Sequence, residues 1–303
     1  MKDIYDVIII GGGPAGMSAG IYAVRYGMST LVVEKGIVGG IMNTTTEIKN
    51  FPSYIDINGQ ELSQKMKDHF ASYNGEILYG EVVSIDFDNK TVNTKSKSIK
   101  YKTIIIATGS TNRKLELDKE KELTGHGISY CAVCDGFFFK DKVVTVVGSG
   151  SGALEDAVYL ADLAKKVNIV SKHEKFVGQE ILVNQLKQKQ NVDYYMGYMP
   201  SKIIGEDVLE KVEIQGKLDK KVLPTDGMFI QIGHKPDNNL FKDRLELSRA
   251  GFVVADSEMR TNLDGVFVAG DIRDKSLRQI VTACSDGAIA ANSAFKYIQN
   301  MED

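Results

Sequence analysis

No stretch of this 303-residue chain approaches the roughly 20 consecutive apolar residues that a membrane-spanning helix needs. The opening segment, MKDIYDVIIIGGGPAG, breaks its short apolar run with glycines, so it lacks the long apolar region and small-residue cleavage site of a secretory signal. A cytoplasmic protein is expected. Charge of one sign is scarce too. The 37 Lys and Arg face 40 Asp and Glu, a formal net charge of -3 with a pI near 5.9, which leaves no broad electrostatic footprint for nucleic acid or an anionic membrane. Three cysteines cannot build a secreted disulfide framework, and two of them stand together as C-x-x-C, a spacing that in a reducing compartment points to redox or metal chemistry. The four histidines, His69, His126, His173 and His234, are isolated in sequence and read as surface or structural residues.

What is present is the composition of a soluble globular chain, 43% hydrophobic and 25% charged, at a length that suits two domains with a core each. Residues 5–10 form an apolar, β-branched run that empties into Gly11-Gly12-Gly13-Pro14-Ala15-Gly16, followed by an Ala-rich helical stretch to Arg25. A second apolar run over 30–33 ends at Glu34, where a carboxylate can accept hydrogen bonds from an adenosine ribose. Strand, glycine turn, helix and distal acid are in register. The glycines let the backbone approach a pyrophosphate, whose charge then faces the start of the helix. The pattern recurs where residues 143–147 lead into Gly148-Ser149-Gly150-Ser151-Gly152-Ala153 and a helical stretch over 154–163. The following strand, 167–170, ends at Ser171, so no acid stands where Glu34 stands in the first repeat.

Two further apolar segments, 104–106 running into Ala107-Thr108-Gly109 and 265–268 running into Ala269-Gly270-Asp271, read as central strands that return to the first repeat. The expected fold is α/β, with two Rossmann-type domains, the second inserted into the first, as in flavoproteins that bind FAD in one and a nicotinamide cofactor in the other. Residues 1–114 and 246–303 make the discontinuous FAD domain, and 115–245 make the insert that carries the C-x-x-C. Linkers are placed at 110–114 and 234–239, where polar residues and Pro236 interrupt the apolar pattern.

Cys131-Ala132-Val133-Cys134 has the separation that lets two sulfurs meet in a small ring at a helix start, where a thiolate is also favoured. Half of a zinc site is the alternative, but Cys284 and the histidines offer no second C-x-x-C or paired spacing. Asp135 follows directly and can move protons if burial raises its pKa towards neutrality; a helix N-cap is the simpler role. Cys284, in the apolar helical stretch 280–291, reads as a buried small residue.

Five segments in this order, GGGPAG at 11–16, TTTEIKNFP at 44–52, ATGS at 107–110, CAVCDG at 131–136 and GVFVAGDIRDKSLRQIVTACSDGAIAA at 265–291, resemble the low-molecular-weight thioredoxin reductases nearly end to end. The resemblance implies FAD bound through Gly11, Gly13, Pro14, Ala15, Gly16, Glu34, Lys35, Gly39, Gly40, Ile41, Asn50, Thr108, Gly109, Gly270, Asp271, Arg278, Gln279 and Ile280. It also implies a homodimer and thioredoxin as protein substrate. In that family reading Cys134 faces the isoalloxazine and accepts its electrons, while Cys131 attacks the thioredoxin disulfide.

The second glycine turn departs from the family. NADPH-dependent members carry an arginine cluster after the next strand, because planar guanidinium groups clasp the 2′-phosphate bidentately. Here Ser171-Lys172-His173-Glu174-Lys175-Phe176-Val177 holds no arginine. Gly148, Gly150, Ala153, Lys172 and Lys175 amount to a degenerate NADPH site, and Glu174 works against a phosphate. The combination resembles the ferredoxin-dependent flavin thioredoxin reductases, so ferredoxin is the donor expected from sequence. The alternatives are an NADPH-dependent reductase with a lysine-based phosphate site, a flavin disulfide oxidase, and a catalytically idle flavin-binding or thioredoxin-docking protein.

Overall fold

The computed structural model describes residues 2–302 apart from Thr46, Glu47 and Lys49; the side chains of Thr44, Val133, Cys134, His234 and Glu302 also lie outside the described residues. The chain divides into two compact units, Met1–Thr111 with Lys235–Asp303, and Asn112–His234. The second junction therefore falls at 234/235 and not near 245. Phe241 and Leu245, assigned to the insert from sequence, are buried in one cluster with Tyr5, Ile8 and Ile104 of the first unit. Contact with strands more than 100 residues earlier decides their place, and local pattern does not report it.

Along the chain, β1 (Ile4–Ile10), α1 (Pro14–Arg25), β2 (Thr30–Glu34), α2 (Gly59–Ser72), β3 (Glu76–Tyr79), β4 (Val82–Asp86), β5 (Thr91–Thr94) and β6 (Ser98–Ile106) open the first unit. The linker strand β7 (Ser110–Asn112) leads to β8 (Ile128–Ser129), α3 (Ala132–Asp135), β9 (Val143–Val147), α4 (Ser151–Leu163), β10 (Lys166–Ser171), α5 (Glu180–Lys187) and β11 (Val192–Met196). Then come β12 (Met199–Ile204), β13 (Lys211–Gln215), β14 (Lys220–Pro224) and β15 (Gly227–Ile230). The linker strand β16 (His234–Pro236) returns the chain to β17 (Val266–Val268) and α6 (Ile280–Glu302).

The first unit is built on a sheet in the order β3-β2-β1-β6-β5-β4. The outer edge of β6 is shared: its first residues pair antiparallel with β5, and residues 104–106 pair parallel with β17. Strand alternation explains the two cores. Val7 and Ile9 of β1 and Ile105 of β6 point into the face covered by α1 and α6, while Ile8, Ile10, Ile104 and Ile106 point into the other. The second unit repeats the plan with a parallel sheet ordered β11-β10-β9-β15-β8, and adds an antiparallel sheet, β12-β13-β14. In both units the central strands release their glycine turns at their C-terminal ends, where open α/β sheets hold ligands.

Candidate active site

The turn after β1 is shaped by backbone contacts that exclude side chains. Gly11 sits at φ +105°, a conformation open to glycine, and a β-carbon on it would lie 2.3 Å from the Ala107 carbonyl oxygen. On Gly16 it would lie 1.9 Å from the Gly11 oxygen. Gly13, the N-cap of α1, is different: nothing stands within 4 Å of where its β-carbon would be. Pro14 at the first helical position has no N–H to leave orphaned, and the glycine cap supplies no side-chain acceptor for the N–H groups that follow. This open, uncapped helix start fits a pyrophosphate.

Glu34 is buried at the end of β2, where Oε2 accepts the Gly12 N–H at 2.6 Å and Oε1 accepts the Gly36 N–H at 2.7 Å. Each oxygen keeps a lone pair, so the acid pins the turn and retains capacity for a ribose hydroxyl. Past it lies a cavity of about 410 Å³ whose lining includes Gly36, Ile37, Val38, Asn43, Gln64 and Tyr79. Gly39 donates its N–H to the Gly12 carbonyl at 2.8 Å, and Gly40 follows beside Gly13. Lys35 reaches outward to Asp237 at 3.2 Å, and Ile41 is exposed. Thr108 Oγ1 donates to the Asp237 carbonyl, and Gly109 has open space in front of it.

The end of the chain completes the cradle. A β-carbon on Gly270 would lie 2.7 Å from that of Ala15, and the Gly270 N–H donates to Asp286 Oδ2 at 3.1 Å. Asp286 also accepts from Lys275 Nζ at 2.8 Å and Arg273 Nη1 at 3.1 Å, a buried cluster that holds the turn containing Asp271. The Arg278 guanidinium covers the Phe252 ring at 4.0 Å and donates to the Asp271 carbonyl. Asn50 donates to Gln279 Oε1 at 3.0 Å, and Ile280 packs beside Met42, Ile48 and Ile57. Residues read separately from two ends of the sequence thus meet around one sheet.

In the second unit Cys131 links β8 to α3, a single turn closed by the Asp135 N–H donating to the Cys131 carbonyl at 3.2 Å. Cys131 is disulfide-bonded and Cys284 carries a free thiol; the side chain of Cys134, the expected other half, lies outside the described residues. Asp135 is half-buried at the end of α3, where its carboxylate accepts from Ser129 Oγ at 2.6 Å, and Ser129 Oγ accepts the Cys131 N–H at 3.0 Å. The carboxylate caps no helix: its bond goes back to the segment before the cysteine. Tyr130 donates its hydroxyl to Glu120 at 2.6 Å, and burial, with Glu120 adding to it, raises its pKa well above the ordinary phenol range. Gln231 Nε2 donates both to the Tyr130 carbonyl at 3.1 Å and to Asp156 at 2.7 Å.

The second glycine turn keeps its shape. Gly148 has φ +145°, and a β-carbon there would lie 2.2 Å from the Gln231 carbonyl oxygen. Gly150 caps α4 with nothing within 4 Å of its β-carbon position, and Ala153 is buried. The N–H groups of Val177 and Gly178 donate to the Ser149 carbonyl, each at 2.9 Å, so the segment after β10 runs against this turn. Lys172 and Lys175 are exposed, and Ser171 is buried with its Oγ accepting the His173 N–H. Glu174, the residue expected to repel a phosphate, is paired with Lys217 at 2.8 Å.

The family pattern for pyridine nucleotide-disulphide oxidoreductases matches residues 5–287. The thioredoxin reductase of Listeria innocua is 42% identical across 100% of this chain and 96% of its own. The chain belongs to the low-molecular-weight thioredoxin reductase family. The crystal structure of Lactococcus lactis thioredoxin reductase matches with a TM-score of 0.92 at 39% identity, covering 98% of this chain and 99% of that one. A ferredoxin-flavin thioredoxin reductase from Clostridium acetobutylicum matches at 28% identity with a TM-score of 0.54, covering 98% and 99%. Membership in this reductase family implies FAD, and the open space before Gly13, beside the uncapped start of α1, fits its pyrophosphate. Residues at these sites that escaped sequence reading include Ser129, Asp156, Gln231 and Asp286. The two acids carried a signal, since an acid among the alanines of an apolar helical stripe is either paired or shifted in pKa.

Proposed function

We propose that this chain is an FAD-dependent thioredoxin-disulfide reductase. The observation that carries the reading is a disulfide-bonded Cys131 at the start of a helical turn, in a chain whose other unit holds a flavin-type glycine cradle. When bound, FAD supplies the electron pair for the disulfide. The cysteines then divide the work: Cys134 receives electrons on the flavin side, and Cys131 attacks the thioredoxin disulfide through a mixed disulfide. Ser129 and Asp135, hydrogen-bonded beside Cys131, are placed to hold and return the proton of the leaving sulfur. Phe137 and Phe138, two exposed rings directly after the redox turn, offer apolar anchors to a protein partner. A homodimer belongs to the same proposal.

For the donor, the balance moves from ferredoxin to NADPH. Likeness to proteins named thioredoxin reductase is greater, at 42% and 39%, than to the ferredoxin-named structure, at 28%. The intact turn at Gly148 and the pairing of Glu174 with Lys217 support the same choice, since the first keeps the shape of a dinucleotide turn and the second offsets the acid that stands between Lys172 and Lys175. Ferredoxin stays as the second reading on one observation, the absence of any guanidinium across 171–177. Anaerobic mixing of the flavin-loaded protein with NADPH, NADH and reduced ferredoxin in turn, followed by flavin bleaching, tests both. Bleaching by NADPH supports the first reading; bleaching by ferredoxin alone overturns it. Failure of the reduced protein to reduce any thioredoxin would refute the reductase itself.

A further inference from the structure

The redox turn rests on a buried carboxyl. Asp156 lies on α4 between Ala153, Ala157 and Leu160, whose shared core includes Ala132 of the redox turn. Gln231 Nε2 bridges Asp156 Oδ2, at 2.7 Å, to the carbonyl of Tyr130, at 3.1 Å, the residue immediately before Cys131. A buried carboxyl, a half-buried amide and the peptide beside the disulfide therefore form one connected group. Asp156 is pushed up to about 7, chiefly by burial, which outweighs the hydrogen bonds from Gln231 and the Ala132 amide and is reinforced by Glu155. Among the elements packed on α4, α3 brings Asp135, β9 carries no charged residue, β10 brings Lys166 already paired with Asp193, and α5 brings Glu180 and Lys187. Tyr130 meets Gln231 through its backbone carbonyl, while its hydroxyl donates to Glu120.

We propose that Asp156 is a positioning residue for the redox pair, whose carboxylate charge disfavours reduction of the disulfide and which gains a proton when the pair is reduced. The inference rests on the reading of Cys131 and Cys134 as that pair. Reduction adds two electrons to the S–S bond, which breaks to leave one sulfur as a thiolate and the other as a thiol that has taken a proton from solvent. The thiolate places negative charge near a second, desolvated negative charge, and like charges in a poorly solvated pocket repel strongly. The Asp156 carboxylate relieves this by taking a second proton from solvent. Below about pH 7 the carboxyl is already protonated and exerts no such effect.

The test is a redox titration of the flavin-loaded protein against reduced and oxidised dithiothreitol. The dithiol supplies two electrons and two protons and closes its own ring, and alkylation of Cys131 reads the product. Asp156→Asn is expected to raise the apparent equilibrium constant for reduction about tenfold at pH 8.5, equivalent to one pKa unit of coupling, and to match the native protein at pH 6. Asp156→Glu should restore the native pH dependence, which a packing role alone would not require. Should Asp156→Asn not fold, Gln231→Leu removes a hydrogen bond that holds the carboxyl down, and the pH at which the native curve bends should move up. A ratio between Asp156→Asn and native that is the same at both pH values, or a bend unmoved in Gln231→Leu, overturns the proposal. Neither thioredoxin nor NADPH or ferredoxin enters this measurement, so its outcome is separate from that of the function proposed above.

Discussion

Replacing Asp286 should damage the flavin cradle more than any exposed charge in the molecule, and the size of the effect follows from burial. Its side chain and that of Lys275 are each 9% exposed and that of Arg273 16%, so neither cation can turn to water when the acid is lost. Removing one partner of a buried ion pair costs about 3–5 kcal/mol. Set against a whole-domain stability of roughly 5–15 kcal/mol, that is a large fraction. Asp286→Leu also strips the Gly270 N–H of its acceptor and frees the turn that carries Asp271. Because the two units need not unfold together, hydrogen exchange along α6 is the right measure of local stability, with flavin fluorescence reporting release. The expected result is lost protection in α6 and flavin release at lower urea. Pairing the change with Lys275→Met should recover part of the loss, the double variant falling short of the summed single costs by about 1–3 kcal/mol. Exchange shifted by under about 1 kcal/mol in Asp286→Leu, well below the cost of breaking a buried pair, would refute the reasoning.

Three further outcomes follow from the geometry. Gly16→Ala should prevent both folding of the first unit and flavin retention, since its methyl meets the Gly11 oxygen. Gly13→Ala should leave the flavin-free protein within about 0.5 kcal/mol of native yet lower flavin absorbance per mole of protein, and equal loss in the two would count against the cradle. Cys284, expected from sequence to be buried, is only half-buried, yet desolvation pushes its thiol up to about 11, so it should react with iodoacetamide at pH 8 far more slowly than a free thiol peptide; labelling at the peptide rate would contradict that shift. For Asp6, burial works upward, but hydrogen bonds from Lys102 and Ser29 outweigh it and hold the folded pKa below the ordinary 3.8. That contribution is present above the unfolded pKa and is lost as pH falls through the folded one. Asp6→Asn should therefore cost about 1 kcal/mol at pH 7, allowing for partial exposure, with the difference shrinking towards pH 3 in urea titrations. A difference constant with pH would be inconsistent with this origin.

The elements that sequence revealed best are those whose cause is local. β1 and β9 announce themselves as apolar, β-branched runs, and Gly16 is required by the Gly11 carbonyl of its own turn, whereas the space at Gly11 and Gly148 is closed by Ala107 and Gln231 far along the chain. What sequence missed depends on distant partners. The 235–245 segment contains few apolar residues, and its place in the first unit comes from packing on β1 and β6. At Glu174 the sequence shows a repulsive charge, but the lysine that answers it stands 43 positions away on another loop. Asp135 was singled out for adjacency to the cysteines, whereas the more deeply buried carboxyl beside the redox turn, Asp156, is supplied by α4. α3 is one turn long and carries no readable helical period.

The division of the first unit into two sequence segments has a consequence during synthesis. A ribosome delivers β1 through β6 first, then all of Asn112–His234, and only afterwards the strand and helix that finish the first sheet. At about 5–20 residues per second, the redox unit is complete in sequence several seconds before β17 can pair with β6 and α6 can settle on α1. A complete flavin cradle must therefore wait for the C-terminal segment. A polypeptide terminated between Pro236 and Val266 would carry the cysteines with no finished cradle to supply them with electrons.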